Sequence, residues 1–287
     1  MILSVVGIIR LYKNSDLSLK ANFLSILDKV FDIMTRIISV VSGKGGVGKT
    51  TLVSNLGASL VKRGKNVIIL DGNVTTPNLS LHLGIPFYPI TLHDVLSSKM
   101  PIESAIYHHE SGLKIIPASL SAESLKDISL ERFQSVILKL LGKADIVIVD
   151  AAAGLGREAI AAMSVADELI IVTNPELPAV TDALKAIKVA EENGTRVLGA
   201  VVNRVRGLKH ELSISEIKTM LEVPIISIIP EDLSVPKSIA KRVPVVHHKP
   251  HSRASLEFQK LAARIIGEPF ASTKAKSWIE RLFFWMT

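Results

Sequence analysis

The most specific chemistry in the 287-residue chain lies in eight consecutive residues, Gly43-Lys44-Gly45-Gly46-Val47-Gly48-Lys49-Thr50. They fit the pattern G-x4-GK[ST]. The glycines let backbone N–H groups face phosphate oxygens, and a helix beginning at the end of the loop adds partial positive charge at the same point. Lys49 is positioned to reach β- and γ-phosphates, and Thr50, followed by Thr51, to offer a hydroxyl to Mg2+. A Mg2+–triphosphate site also needs a carboxylate at the end of a neighbouring strand. Asp150 closes the apolar run ADIVIVD, and Gly154 in the following AAAGLGRE supplies a turn able to sense a γ-phosphate. An Asp ending a buried strand can also be a mere helix cap; its pairing with the Gly-rich loop favours the metal role.

These residues must be held by strands and helices in alternation. Short β-branched runs at 37–42, 66–71, 113–117, 145–150, 168–173, 196–203 and 224–230 show little period-2 alternation, which marks strands covered on both faces. Helical patterns lie between or after them at 50–63, 122–141, 157–165, 180–193, 211–221, 236–242 and 252–266. The order predicts an α/β fold, a doubly wound, mostly parallel sheet with helices on both faces, over residues 36–268. Residues 1–35 stand outside it as a nearly neutral extension of mixed helical character. The run MTRIISVV, beginning at Met34, is also how a complete chain of this type could start. Residues 269–287 read as a linker and a tail, with Pro269 and Ser272 marking the break.

Composition excludes several functions. There is no cysteine, so disulfide staples, Cys-ligated zinc, iron–sulfur clusters and Cys nucleophiles are absent, and a reducing compartment fits. Mean hydropathy is +0.37, yet no apolar run approaches the roughly 18 residues that a bilayer span needs, and residues 1–9 have neither the flanks nor the cleavage pattern of a signal peptide. The formal net charge of +7 is concentrated: residues 237–287 hold ten Lys or Arg against three acids, which accounts for the whole surplus. His247, His248 and His251 read as surface loop residues, because Pro250 breaks the spacing that would align them on a metal.

The stretch KGGVGKTT, with its second lysine Lys44, resembles the deviant Walker A ATPases of the MinD/ParA group, and the likeness covers most of residues 36–268. The resemblance implies ATP and Mg2+ as ligands and an ATP-dependent homodimer in which Lys44 reaches the partner's nucleotide. VIILDGNVTTPNLSLHLG looks like the family's switch I, VIVDAAAGLG like switch II, and IVTNPELPAVTDALK like the segment near the dimer interface. VVNRV resembles the adenine-recognition strand end, carrying that role to Asn203, and the loop from Pro230 through Glu231 to Asp232 resembles the purine-flanking segment. Residues of these types also form turns. Asp71 matches the first Asp of the family's switch I DxD, joining Thr50 and Asp150 as metal-site candidates, whereas Asn73 stands at the second. An amide orients water but cannot take its proton, so slow hydrolysis is expected.

The tail carries both tryptophans. At about 100° per residue, Trp278, Ile279, Leu282 and Trp285 gather on one side of a helix, with Lys274, Lys276, Arg281 and Phe283 completing a basic, aromatic segment suited to an anionic membrane surface. A C-terminal membrane-targeting helix is also what the resemblance implies. The alternative is a terminal helix packed on the sheet. Three functions compete. The leading one is a MinD-like ATPase, cytoplasmic and peripheral on the inner face of the membrane, that positions division or other machinery through a protein partner. The second is a ParA-like, DNA-binding partition ATPase, less favoured by the aromatic tail. A metallocluster carrier of the same superfamily lacks its cysteine ligands here.

Overall fold

A computed structural model describes residues 35–84, 87–121 and 128–270; the expected N-terminal extension to residue 34 and the tail from residue 271 lie outside these. Eight strands form one sheet: β1 (Arg36–Ser42), β2 (Val67–Asp71), β3 (Tyr107–His108), β4 (Lys114–Ile116), β5 (Ile146–Ala153), β6 (Glu168–Thr173), β7 (Arg196–Val205) and β8 (Ile225–Pro230). Their spatial order is β3-β4-β2-β5-β1-β6-β7-β8. All pairings are parallel except that of β3 with β4.

The helices are α1 (Lys49–Val61), α2 (Leu79–His82), α3 (Leu92–Leu96), α4 (Phe133–Leu138), α5 (Arg157–Ser164), α6 (Leu177–Glu192), α7 (Ile214–Leu221), α8 (Ser234–Ala240), α9 (Val245–His248) and α10 (Arg253–Ile265). Alternate residues of the central strands feed two apolar layers. Ile37 and Val41 of β1 pack with α4, α5 and α6, whereas Ile38 and Val40 pack with α1 and α10. Both layers are apolar because a parallel sheet has helices on both faces, so each strand reads as an unbroken apolar run. Removing a fully buried Leu such as Leu52 or Leu56 of α1 from water contributes about 1.5–3 kcal/mol.

All seven expected strands are present. β5 and β7 run beyond their expected ends, to Ala153 and Val205, and these extra residues enter the site described below. The expected helix at 122–141 is shorter in its described part: a 3-10 turn, Leu130–Arg132, leads into α4, and Gly142 at φ 78° lies in the turn after it. The short α2, α3, α9 and β3 were not anticipated, since two to five residues carry too little periodicity to register. The histidines expected on a surface loop are a correction: His247 and His248 belong to α9 and are partly buried, and only His251 is exposed. No group of three metal-ligating side chains occurs among the described residues.

Candidate nucleotide site

β1 delivers the chain to the middle of the sheet, and the loop Gly43–Gly48 turns it into α1 at the C-terminal ends of the strands, where open α/β sheets bind ligands. Two glycines have a measurable reason. A Cβ on Gly43 would lie 2.0 Å from the Asp182 carbonyl oxygen, so the loop packs directly on the α6 backbone. Gly48 sits at φ 102°, where a Cβ would also lie 2.2 Å from Nδ2 of Asn203.

Inside the loop, Lys49 is buried and donates from Nζ to Ser42 Oγ at 2.9 Å, while Ser42 Oγ donates to the Lys44 carbonyl at 2.8 Å. Burial pushes the Lys49 pKa down, and the nearby Asp150 opposes that shift. The Lys44 side chain is exposed and makes no ion pair with a described residue, whereas Lys49 is buried. Gly45, Gly46, Val47 and Thr50 complete the loop, with Gly46 at φ 78° and Val47 buried.

Asp71, at the end of β2, lies directly opposite Asp150, within β5, and both are buried. Their roles differ. Asp71 accepts from the amides of Asn73 (3.2 Å), Asn78 (3.0 Å) and Leu79 (3.0 Å), and so anchors the switch-I-like loop and the start of α2. Asp150 lies within hydrogen-bonding reach of the Thr50 hydroxyl, and its buried Oδ1 has no partner. Desolvation raises both pKa values, and the Asp150 charge raises that of Asp71 further; backbone donors on Asp71, and Thr50 and Lys49 beside Asp150, pull the other way. A buried, unpartnered carboxylate oxygen beside a threonine hydroxyl suits a divalent cation. Thr50, Asp150 and, behind them, Asp71 would hold Mg2+, which would neutralise phosphate charge.

Asn73 does not point a carboxamide freely at the site. Its Nδ2 donates to the Thr76 carbonyl (2.5 Å) and hydroxyl (3.0 Å), closing a tight turn in the loop. Gly154, at φ 81°, donates its N–H to the Ser42 carbonyl at 3.0 Å, so that donor is engaged in the present conformation. An opening of ≈ 390 Å³ lies between the loop and these elements, with Lys49, Thr50, Thr51, Asn73 and Ala153 among its walls.

A second opening of ≈ 120 Å³ adjoins it, walled by Asn203, Pro230, Glu231 and Asp232 together with Gly48 and Thr51. The fold thus brings the expected base-binding residues to the phosphate loop. The β7–β8 register shifts between Val202 and Val205, and a shift of this kind re-aims side chains at the strand end. Asn203 Nδ2 donates to the Val47 carbonyl at 2.7 Å, bracing the phosphate loop. Asn174, oriented with its amide nitrogen toward the carbonyls of Val47 and Asn203, adds contacts of 3.2 Å. With Nδ2 committed, Asn203 Oδ1 is the atom left to accept from an exocyclic amine, as adenine offers and guanine's O6 does not. Asp232 is structural as well, accepting from the amides of Ser234 (2.8 Å) and Ala254 (3.1 Å) and so tying α8 to α10.

Sequence reasoning missed Arg204, at φ 58°, and Ile239, which line both openings, and His82, which lines the larger one. Arg204 carried a signal as the neighbour of Asn203 in VVNRV. Ile239 and His82 lie on short helices and carried none.

Comparison with known proteins agrees with this geometry. Residues 38–245 match the CobQ/CobB/MinD/ParA nucleotide binding domain family. The chain is 40% identical over 244 residues to an ATP-binding protein of Methanocaldococcus jannaschii, covering 85% of this chain and 92% of that one. It is 37% identical over 242 residues to the septum site-determining protein MinD of Synechocystis sp., covering 82% and 91%. The structure of Pyrococcus horikoshii MinD complexed with Mg-ADP superposes with a TM-score of 0.78 at 38% identity, covering 81% of this chain and 96% of that one. MinD in the MinC:MinD complex of Aquifex aeolicus gives 0.75 at 32% identity, covering 83% and 98%. The chain belongs to the CobQ/CobB/MinD/ParA nucleotide-binding family and is a P-loop ATPase of the MinD/ParA type.

Proposed function

We propose that this ATPase is a MinD-like positioning protein: it binds Mg-ATP, dimerises across the nucleotide, attaches to the inner face of the membrane through its C-terminal helix, and directs a protein partner in division-site or other spatial regulation. The observation that carries the nucleotide part is the buried, unpartnered Asp150 oxygen beside Thr50 and Lys49, opposite Asp71 and at the mouth of the phosphate loop. In this reading Lys49 holds the β- and γ-phosphates, the loop amides cradle them, and Asn203 with the Pro230–Asp232 loop receives adenine. Exposed Lys44 is the residue available to a second copy. Asn73 orients the attacking water without taking its proton, giving a long-lived ATP state.

The membrane part is supported by composition and by where the tail departs. The described chain ends at Phe270, which lies 5.7 Å from the Arg63 guanidinium, beyond the C-terminal end of α1. By helix rise that is about 20 Å from the phosphate loop, and in this reading lipid binding follows nucleotide through dimerisation. Two short tails on one dimer gain avidity that one tail lacks.

Partition between anionic vesicles and DNA in one buffer, with ATP or ADP and with a chain ending at Gly267, tests the reading. ATP-dependent sedimentation with vesicles that is lost in the shortened chain is expected. Equal vesicle binding by the shortened chain overturns the tail's role, and salt-sensitive binding to DNA instead favours the ParA-like function suggested by the basic C-terminal segment.

A further inference from the structure

The loop from Asn73 to Asn78 is tethered from behind by residues that no phosphate would touch. His93, on α3, is buried. Its Nδ1 accepts the Ser119 backbone N–H at 3.0 Å, and its Nε2 lies 3.0 Å from the Val74 carbonyl. An amide N–H can only donate and a carbonyl can only accept, so the ring is neutral with its proton on Nε2. The ring's position is fixed in turn. Thr91 and Asp94 form a capping box at the start of α3, and the Leu92 amide donates to the Pro117 carbonyl at 2.8 Å, docking the helix on the exit of β4.

The next residue of the loop has its own tether. The Thr75 hydroxyl donates to the carboxylate of Glu158, in the first turn of α5. Val74 and Thr75 are therefore held by two different elements, while Asn73, Thr76 and Asn78 line the phosphate opening. Beyond His93, Ser119 lines a surface cleft of ≈ 220 Å³ with Phe87 and Leu120, which are 84% and 40% exposed.

We propose that His93 is a positioning residue for ATP hydrolysis: by bridging the Val74 carbonyl to the Ser119 amide, it holds the 73–78 loop against the phosphate site and carries movement of that loop to the 117–121 segment. The inference concerns the ATPase site and is independent of whether the chain binds lipid. A loop held from behind matters most in the transition state, when Asn73 must orient water, and less for initial nucleotide binding.

His93→Phe fills the volume but removes both polar atoms, whereas His93→Gln keeps one donor and one acceptor. With the full chain and Mg-ATP in single-turnover assays, His93→Phe is expected to lower the hydrolysis rate about tenfold, as for one or two lost buried hydrogen bonds, with nucleotide affinity changed by less than about threefold. His93→Gln should recover much of the rate. Hydrogen exchange at the Ser119 amide, measured in the wild-type chain, should differ by more than about threefold between nucleotide-free and Mg-ATP-bound states, and that difference should vanish in His93→Phe. A wild-type hydrolysis rate in His93→Phe overturns the proposal, as does an equal loss of rate and affinity. Should His93→Phe not fold, the wild-type exchange decides alone: identical Ser119 exchange with and without Mg-ATP overturns the coupling.

Discussion

At the scale of single residues, the site divides into groups whose chemistry is readable from type and spacing and groups whose use depends on their neighbours. Lys49 and Thr50 belong to the first kind; Asn73 belongs to the second. Its substitution for an acid was visible in the sequence, but the structure adds that its amide is occupied in closing a turn on Thr76. A carboxylate there keeps its bonds from the Thr76 N–H and hydroxyl but has no hydrogen to give the Thr76 carbonyl. Asn73→Asp should therefore raise the single-turnover ATPase rate, by on the order of 10–100-fold if the new carboxylate acts as general base. A rate that stays the same or falls removes proton acceptance as the limiting function of this position.

At the scale of elements, positions assigned to ligand contact also serve as fastenings. Asp232, expected in the purine-flanking loop, spends its carboxylate on the amides of Ser234 and Ala254 and so fixes where α8 and α10 begin. Loss of such a cap costs about 1 kcal/mol per helix. Asp232→Ala is expected to lower the denaturation midpoint by an amount equivalent to about 1–2 kcal/mol, with a smaller effect on the ATP-to-GTP preference. Unfolding and nucleotide titration of the same variant separate the two; a lost preference at unchanged stability would make Asp232 primarily a ligand contact. The long strands and α1, α5, α6 and α10 were legible because each repeats an apolar pattern over several residues. α2 and α3 were not, because their positions are set by Asp71 and by the Thr91–Asp94 capping box together with distant strand ends. His93 was invisible for the same reason: its two partners lie 19 and 26 residues away along the chain.

At the scale of the whole molecule, two facing carboxylates in the core set how stability depends on pH and metal. Burial raises the pKa values of Asp71 and Asp150 above their unfolded values, so without metal the folded state binds more protons than the unfolded chain. Their contribution is therefore most favourable below the unfolded carboxylate value of about 4 and is lost as pH rises through the folded-state values. A divalent cation at the unpartnered Asp150 oxygen reverses this, since it binds the ionised form and displaces protons. The increase in melting temperature on adding Mg2+ and nucleotide should be larger at about pH 8 than at about pH 5.5. An equal increase at both would show that the pair does not titrate on binding. The sequence alone determined the phosphate loop, the alternating architecture, the exclusion of cysteine chemistry and the concentration of positive charge toward the C-terminus, because these depend on local spacing and composition. Only the tertiary structure decided that Asp71 braces a loop while Asp150 keeps an open oxygen, that Asn203 props the phosphate loop, and that His93 stands behind it. Those roles depend on which hydrogen-bond partners remain once strands far apart in sequence are brought side by side and shielded from water.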